Sequence, residues 1–411
     1  MTTKPLRILI VDDDTERSLG WKASIDSKRL AGEGADVSAL SRDQSSKLIV
    51  DIDARRRLAR SGTNPFDTTS PLDDVDVLVL DYDLEELEDE GTTSTGLLVA
   101  MLARAFSRTK LIVLVNQFGT NKFDLTMTAA ARSNADFDVN EAQILNPTLW
   151  ERSRIEGFAP WAWEDGILAA SARVDAAVDW VRRRLDEPVL QSLGFDVTPE
   201  AAASGSLIAK ELWQECVDAP SRTFRQMVGD ARFLTPRDRE AIQQFDESCS
   251  RVAATLVVHW LDRWVIPANE VLIDLPHLVS ADPWLLRDRT TCAGWQASVG
   301  VAGIEALVPA VRAHEFQPGL PISRPAVWRQ RVAVDLALRE PSGFKYDDFP
   351  DMVFCENTSR FEQFALTKPF SSRLPVGDPQ RFVLDPGQAV LSSTGFEVNH
   401  VAHEPQVLFA I

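Results

Sequence analysis

"RILIVDDDTE", Arg7 to Glu16, is the stretch on which the reading of this chain turns. Four apolar residues, Ile8 to Val11, form the short unbroken run of a strand covered on both faces. Asp12, Asp13 and Asp14 follow immediately at its carboxyl end. Adjacent carboxylates repel one another and resist burial, so three together at a strand end call for a neutralising partner. The plainer alternative is a solvated turn, where aspartate is common.

A second stretch weighs against the plain turn. "DVDVLVLDYDL", Asp74 to Leu84, ends another apolar run in Asp81 and Asp83. Further runs lie at Leu111–Val115, more weakly at Gln143–Leu145, and around Ala35–Leu40. Between them, apolar residues recur with helical period over Thr15–Arg29, Ser46–Arg60, Gly96–Phe106 and Ile167–Leu185. Alternating strands and helices predict an α/β fold, a five-stranded doubly wound parallel sheet. In such a sheet functional groups collect at the carboxyl ends of the strands. Asp12, Asp13, Asp81 and Asp83 would then share one crevice, and clustered carboxylates of this kind suit a hard cation such as Mg²⁺.

Composition narrows the class. The chain has 411 residues, 45% of them hydrophobic, enough for two or three domains. Its 61 acidic and 43 basic side chains give a net charge of -18, which argues against nucleic acid as a partner. No apolar run approaches the roughly twenty residues of a membrane span, and the N-terminus lacks a basic-then-apolar leader. A cytoplasmic protein that makes no use of a membrane is expected. Four cysteines without a CxxC pair read as separate thiols.

On these residues the first half resembles the receiver domain of two-component response regulators, a flavodoxin-like fold. The resemblance covers residues 1–186. It implies that Asp12 and Asp13 are the acid pair that binds Mg²⁺, with Asp13 the more direct ligand, and that Asp81 is the phosphoacceptor of a phosphorelay. It also implies that position 83 offers a backbone or side-chain oxygen to the metal and that a histidine kinase supplies the phosphoryl group. Asp14 has no role in that pattern. Two positions depart from it. "LIVLVNQFG" puts Asn116 where receivers have Ser or Thr, and "ILNP" puts Asn146 before Pro147 where they have Lys. An amide at 116 still donates a hydrogen bond, whereas Asn146 removes a fixed positive charge from the phosphate site. The domain therefore reads as an atypical receiver, or pseudo-receiver.

Two insertions lengthen it. Leu84 to Gly96 adds Glu85, Glu86, Glu88, Asp89 and Glu90, read as a solvated acidic loop, and Glu151 to Gly166 carries Phe158, Trp161 and Trp163, which could anchor an interface or cover their own loop.

Beyond residue 186 a mainly α-helical effector region is expected over 187–345, followed by an α+β tail over 346–411. Thr235-Pro236 with Asp238 is a helix start, and the helix is predicted to run to Trp264. "VLIDLPHLV" reads as an edge strand or buried connection, Ala326–Arg339 as a helix, and "DMVFCEN", "RFVLD", "AVLSS" and "VLFAI" as short strands, the last packed rather than frayed. His400 and His403, with Glu404 and Cys355, form a weak metal pattern, and no GxSxG, P-loop, HExxH or GxGxxG string is present. The arginines around Arg222, Arg225, Arg237 and Arg239 are interrupted by acids or aromatics.

The expected function is signalling or regulation, with an effector that binds another protein or self-associates. The first alternative is an enzyme whose catalytic or metal site lies in the C-terminal half, using Asp274, His277 or the His400/His403 pair. The second is a transcriptional regulator.

Overall fold

A computed structural model describes residues 5–27, 35–84, 87, 95–116, 135–144, 163–195, 221–230, 234–299, 302–316, 319–322, 324–345, 349–355, 360–370 and 381–384. The chain folds as two compact units, Met1–Val189 with Ser221–Val257, and Leu190–Pro220 with Val258–Ile411.

In the first unit, β1 (Arg7–Val11), β2 (Asp36–Ala39), β3 (Val77–Asp81) and β4 (Leu111–Asn116) form a four-strand parallel sheet in the order β2-β1-β3-β4. Phe137–Asn140, β5, pairs in parallel with the free edge of β4, Val113 opposite Phe137 and Asn116 opposite Asn140. The sequence placed that edge strand at Gln143–Leu145; instead Glu141–Ile144 is a single helical turn, α4, and Ile144 drops into the core. The alternating Phe137 and Val139 carry the strand, because period two sets both on one face.

Helices α1 (Thr15–Ser27), α2 (Arg42–Arg60) and α3 (Gly96–Phe106) match their predicted positions to within a few residues. A helix at Trp163–Arg182 does so less closely. Trp21 and Ile25 of α1 and Ala170 of the Trp163–Arg182 helix pack on Ile8, Ile10, Val77, Val79, Val113 and Val115, which face one side of the sheet by strand alternation. Each fully buried aliphatic side chain of this kind contributes about 1.5–3 kcal/mol.

The segment Ser221–Val257 completes this unit. Thr235 caps helix Pro236–Gln244, its hydroxyl accepting from the Asp238 N–H at 3.3 Å. The single helix predicted from Pro236 to Trp264 is broken: Phe245 adopts an extended conformation and a second helix, Asp246–Trp260, begins beyond it. The break lets Asp238 face α2, and Arg251, buried in the second helix, donates to the carbonyls of Arg104 and Thr109.

The second unit interleaves short helices with two small sheets. Among its described residues the helices wholly inside it are short, none longer than Leu275–Ala281. β6 (Leu272–Asp274) pairs antiparallel with β7 (Ala326–Trp328), whereas a helix was predicted over Ala326–Arg339; only Arg329–Val334 is helical there, followed by a 3-10 turn at Leu336–Leu338. β8 (Met352–Cys355), β9 (Arg360–Gln363), β10 (Thr367–Phe370) and β11 (Arg381–Leu384) form the second sheet, ordered β10-β11-β8-β9. Phe195 packs against Trp260, Phe316 and Trp328 with ring centroids 5.1–6.0 Å apart. The predicted runs "AVLSS" and "VLFAI" lie outside the described residues. No helix among the described residues is long and apolar enough to cross a membrane.

Candidate functional site

The carboxyl ends of β1 and β3 are neighbours because these strands pair directly, Val11 opposite Leu80. That pairing brings Asp12, Asp13 and Asp81 together, with one oxygen of each within 4.8 Å of the others. Asp12 and Asp81 are completely buried and Asp13 nearly so.

Asp14 takes a different part. Its Oδ1 accepts from the backbone N–H groups of Glu16 at 2.8 Å and Arg17 at 3.1 Å, so it caps α1. Asp12 Oδ1 accepts from the Asp14 N–H at 2.9 Å and fixes the turn between strand and helix. Of the three aspartates, two thus enter the cluster and the third starts the helix beside it.

That helix delivers the cation. Side chains on a helix lean toward its N-terminus, and Arg17, in the first turn of α1, reaches back over the carboxylates. Its Nε donates to Asp12 Oδ2 at 2.8 Å. Its Nη2 donates to Asp12 Oδ1 at 2.7 Å, Asp13 Oδ1 at 3.0 Å and Asp81 Oδ2 at 2.8 Å. The sequence reading missed this residue. Its signal was positional: four residues after Asp13, on the helix that the aspartates themselves begin.

One guanidinium faces three carboxylates, and the balance falls unevenly. Burial, then the charge of Asp12, pushes the Asp81 carboxyl up to about 7; Arg17 opposes this and Asp13 adds to it. The Arg17 guanidinium is pushed up from its ordinary value by its hydrogen bond to Asp12. Asp81 Oδ1 is buried and accepts no hydrogen bond. The cluster could hold a metal ion: it offers hard oxygen donors from two strand ends and leaves one buried lone-pair site unanswered.

Gly96 sets the rear wall. Its N–H donates to the Tyr82 carbonyl at 2.9 Å, and a Cβ at this position would lie 2.0 Å from the Asp81 carbonyl oxygen. The start of α3 can therefore approach the Asp81 backbone only through glycine.

Asn116 ends β4 on the same edge of the sheet. Asp83 stands two residues past Asp81, in an isolated antiparallel bridge to Thr95, and is not one of the three converging carboxylates. Asn146, Pro147, Phe158 and Trp161, most of the acidic Leu84–Gly96 loop, and His400, His403 and Glu404 lie outside the described residues.

The residues named for a site in the second unit do meet in part. Asp274 Oδ1 contacts His277 Nδ1 at 2.5 Å and accepts from the His277 backbone N–H at 3.0 Å, while Arg324 donates to Oδ2 at 3.1 Å. The His277 ring stands edge-on to Phe354 at 5.3 Å. Burial raises the Asp274 carboxyl, but His277 and Arg324 outweigh it and hold it well below the usual range. Asp274 also caps helix Leu275–Ala281. Asp274 and His277 are buried among core residues while Arg324 is partly exposed, and the group reads as a structural tie. Of the arginines weighed for nucleic acid, Arg225 is paired with Asp186 and Asp246, and Arg239 donates to the Gly229 carbonyl.

Compared with protein-family models, with curated proteins and with solved structures, the chain gives no match.

Proposed function

We propose that the first unit is a receiver-like domain of atypical type, in which Asp81 accepts a phosphoryl group and Asp12 and Asp13 hold Mg²⁺, and that the protein is a signalling or regulatory protein. The observation that carries this reading is the convergence of Asp12, Asp13 and Asp81 at the adjoining carboxyl ends of β1 and β3. In a doubly wound sheet those ends are where ligands bind.

A Asp81 carboxylate oxygen attacks the phosphorus of a small phosphodonor or of a phosphohistidine. The O–P bond forms as the donor's bond to phosphorus breaks, and the electron pair leaves with the donor. Bound Mg²⁺ would offset charge on the phosphoryl oxygens. Asp12 and Asp13 would orient that cation, and the Asn116 amide, from the end of β4, would donate to a phosphoryl oxygen. The amide at 146 brings no charge, so the acyl phosphate would have a weaker electrostatic hold than a lysine provides.

The second unit then acts on a protein partner or by self-association. Eleven tryptophans and a net charge of -18 support that in preference to nucleic acid.

Intact-protein mass after incubation with Mg²⁺ and acetyl phosphate tests the reading. One phosphoryl adduct on the wild type, absent from Asp81→Asn, is expected. A folded wild type that gains no adduct removes the phosphoacceptor role.

A further inference from the structure

The three carboxylates already have a cation between them. Arg17 Nη2 bonds one oxygen of each, Asp12 Oδ1, Asp13 Oδ1 and Asp81 Oδ2, at 2.7–3.0 Å. A divalent ion bound to all three, at Mg–O distances of about 2.1 Å, would compete with this guanidinium for the carboxylates it bridges.

We propose that Arg17 is a built-in counter-cation, a lock on the acidic site that a divalent cation must displace before it can bind. The inference rests on the receiver-like reading of the cluster and adds the control of its occupancy.

Three observations support it. The Arg17 side chain is 18% exposed while Asp12 and Asp81 are fully buried, so Arg17 is the most exposed of the four side chains that meet here. Asp81 Oδ1 is buried without a hydrogen-bond partner, so the lock leaves one oxygen of the site unanswered, which a cation with several coordination positions would use. The inner position is also defined: the guanidinium carbon lies 5.9 Å from the centroid of the buried Trp21 ring, one turn further along α1. A single delocalised charge meets three carboxylates here, whereas a divalent ion would neutralise more of their charge. The exchange is therefore driven by cation concentration. In its absence the site stays closed and the domain holds one state.

The test is Mn²⁺ binding to the full chain by calorimetry, comparing wild type with Arg17→Gln, each with and without Asp81→Asn. Arg17→Gln is expected to bind at least about tenfold more tightly than wild type, or about 1.4 kcal/mol, and Asp81→Asn to abolish the gain. Wild-type binding that depends on Asp81 and is equal to or tighter than that of Arg17→Gln overturns the lock and leaves the receiver-like site standing. No Asp81-dependent binding in either protein removes both. A second readout avoids any loss of folding in the variant. In wild type labelled at arginine, the Arg17 Nε–H resonance should shift as Mg²⁺ saturates the site. Saturation with that resonance unchanged shows cation and guanidinium side by side, and overturns the displacement.

Discussion

Asp238 is gripped by Arg56 from 182 residues earlier in the chain, with Nε to Oδ1 and Nη2 to Oδ2 both at 2.8 Å. Arg60, one turn further along α2, makes the same paired contact at 2.7 and 2.9 Å, and the Thr235 hydroxyl adds a bond of 2.6 Å. A carboxylate that is 1% exposed is thus held by two guanidinium forks. This clamp secures helix Pro236–Gln244 to α2 and makes the Ser221–Val257 segment part of the first unit.

Breaking the clamp should be felt in stability. Because Arg56 and Arg60 are partly exposed, Asp238→Ala is expected to lower the unfolding free energy by about 2 kcal/mol, below the range for a fully buried pair. Urea titration of the variant against wild type measures it.

The same carboxyl gives a pH signature. Burial raises the Asp238 carboxyl, but Arg56, Arg60 and Thr235 outweigh it and hold it well below the usual range. A carboxyl depressed in the folded state adds stability that is complete above its unfolded value, about 3.9, and is lost as pH falls below that value. Asp238→Asn should therefore narrow the gap in stability between pH 6 and pH 3, as thermal melts across that window would show.

Gly96→Ala is expected to damage the acidic site without touching a charge. The added methyl would lie 2.0 Å from the Asp81 carbonyl oxygen, so either α3 or the end of β3 must move. Overpacking of this kind costs about 1–3 kcal/mol. The shift should appear in the amide resonances of Asp81 and Tyr82, and an unchanged spectrum would contradict the close approach.

In the second unit, Asp274→Ala removes the helix cap of Leu275–Ala281 and leaves His277 and Arg324 without their shared carboxylate. A loss of about 3 kcal/mol is expected. Asp274→Asn should keep part of the cap and lose less, and chemical denaturation of the two variants separates cap from charge.

Arg251 is buried beside Arg104, and burial is the main cause that pushes its guanidinium down to about 9. Its bonds to the carbonyls of Arg104 and Thr109 keep it in place. Arg251→Met fills much of the volume but strands two carbonyls, so a loss of about 2 kcal/mol is expected in the same denaturation assay.

The sequence by itself determined the β1, β3 and β4 runs, helices α1 to α3, and the placing of Asp12, Asp13 and Asp81 at strand ends. Those features depend on local periodicity and on the short reach of capping residues, which a linear reading captures. Other features only the tertiary structure decided. Ala326–Trp328 has enough apolar character for either helix or strand, and the free edge of β6 made it a strand. The helix predicted past Gln244 breaks at Phe245, where Asp238 and Arg251 on either side find partners far away in sequence. Arg17 was one unremarked arginine among many until the pairing of β1 with β3 placed Asp81 beside Asp12 and gave its guanidinium three carboxylates to bind. Side-chain charges act through space over a few ångströms, so which of them meet is set by chain packing, and no spacing along the sequence states it.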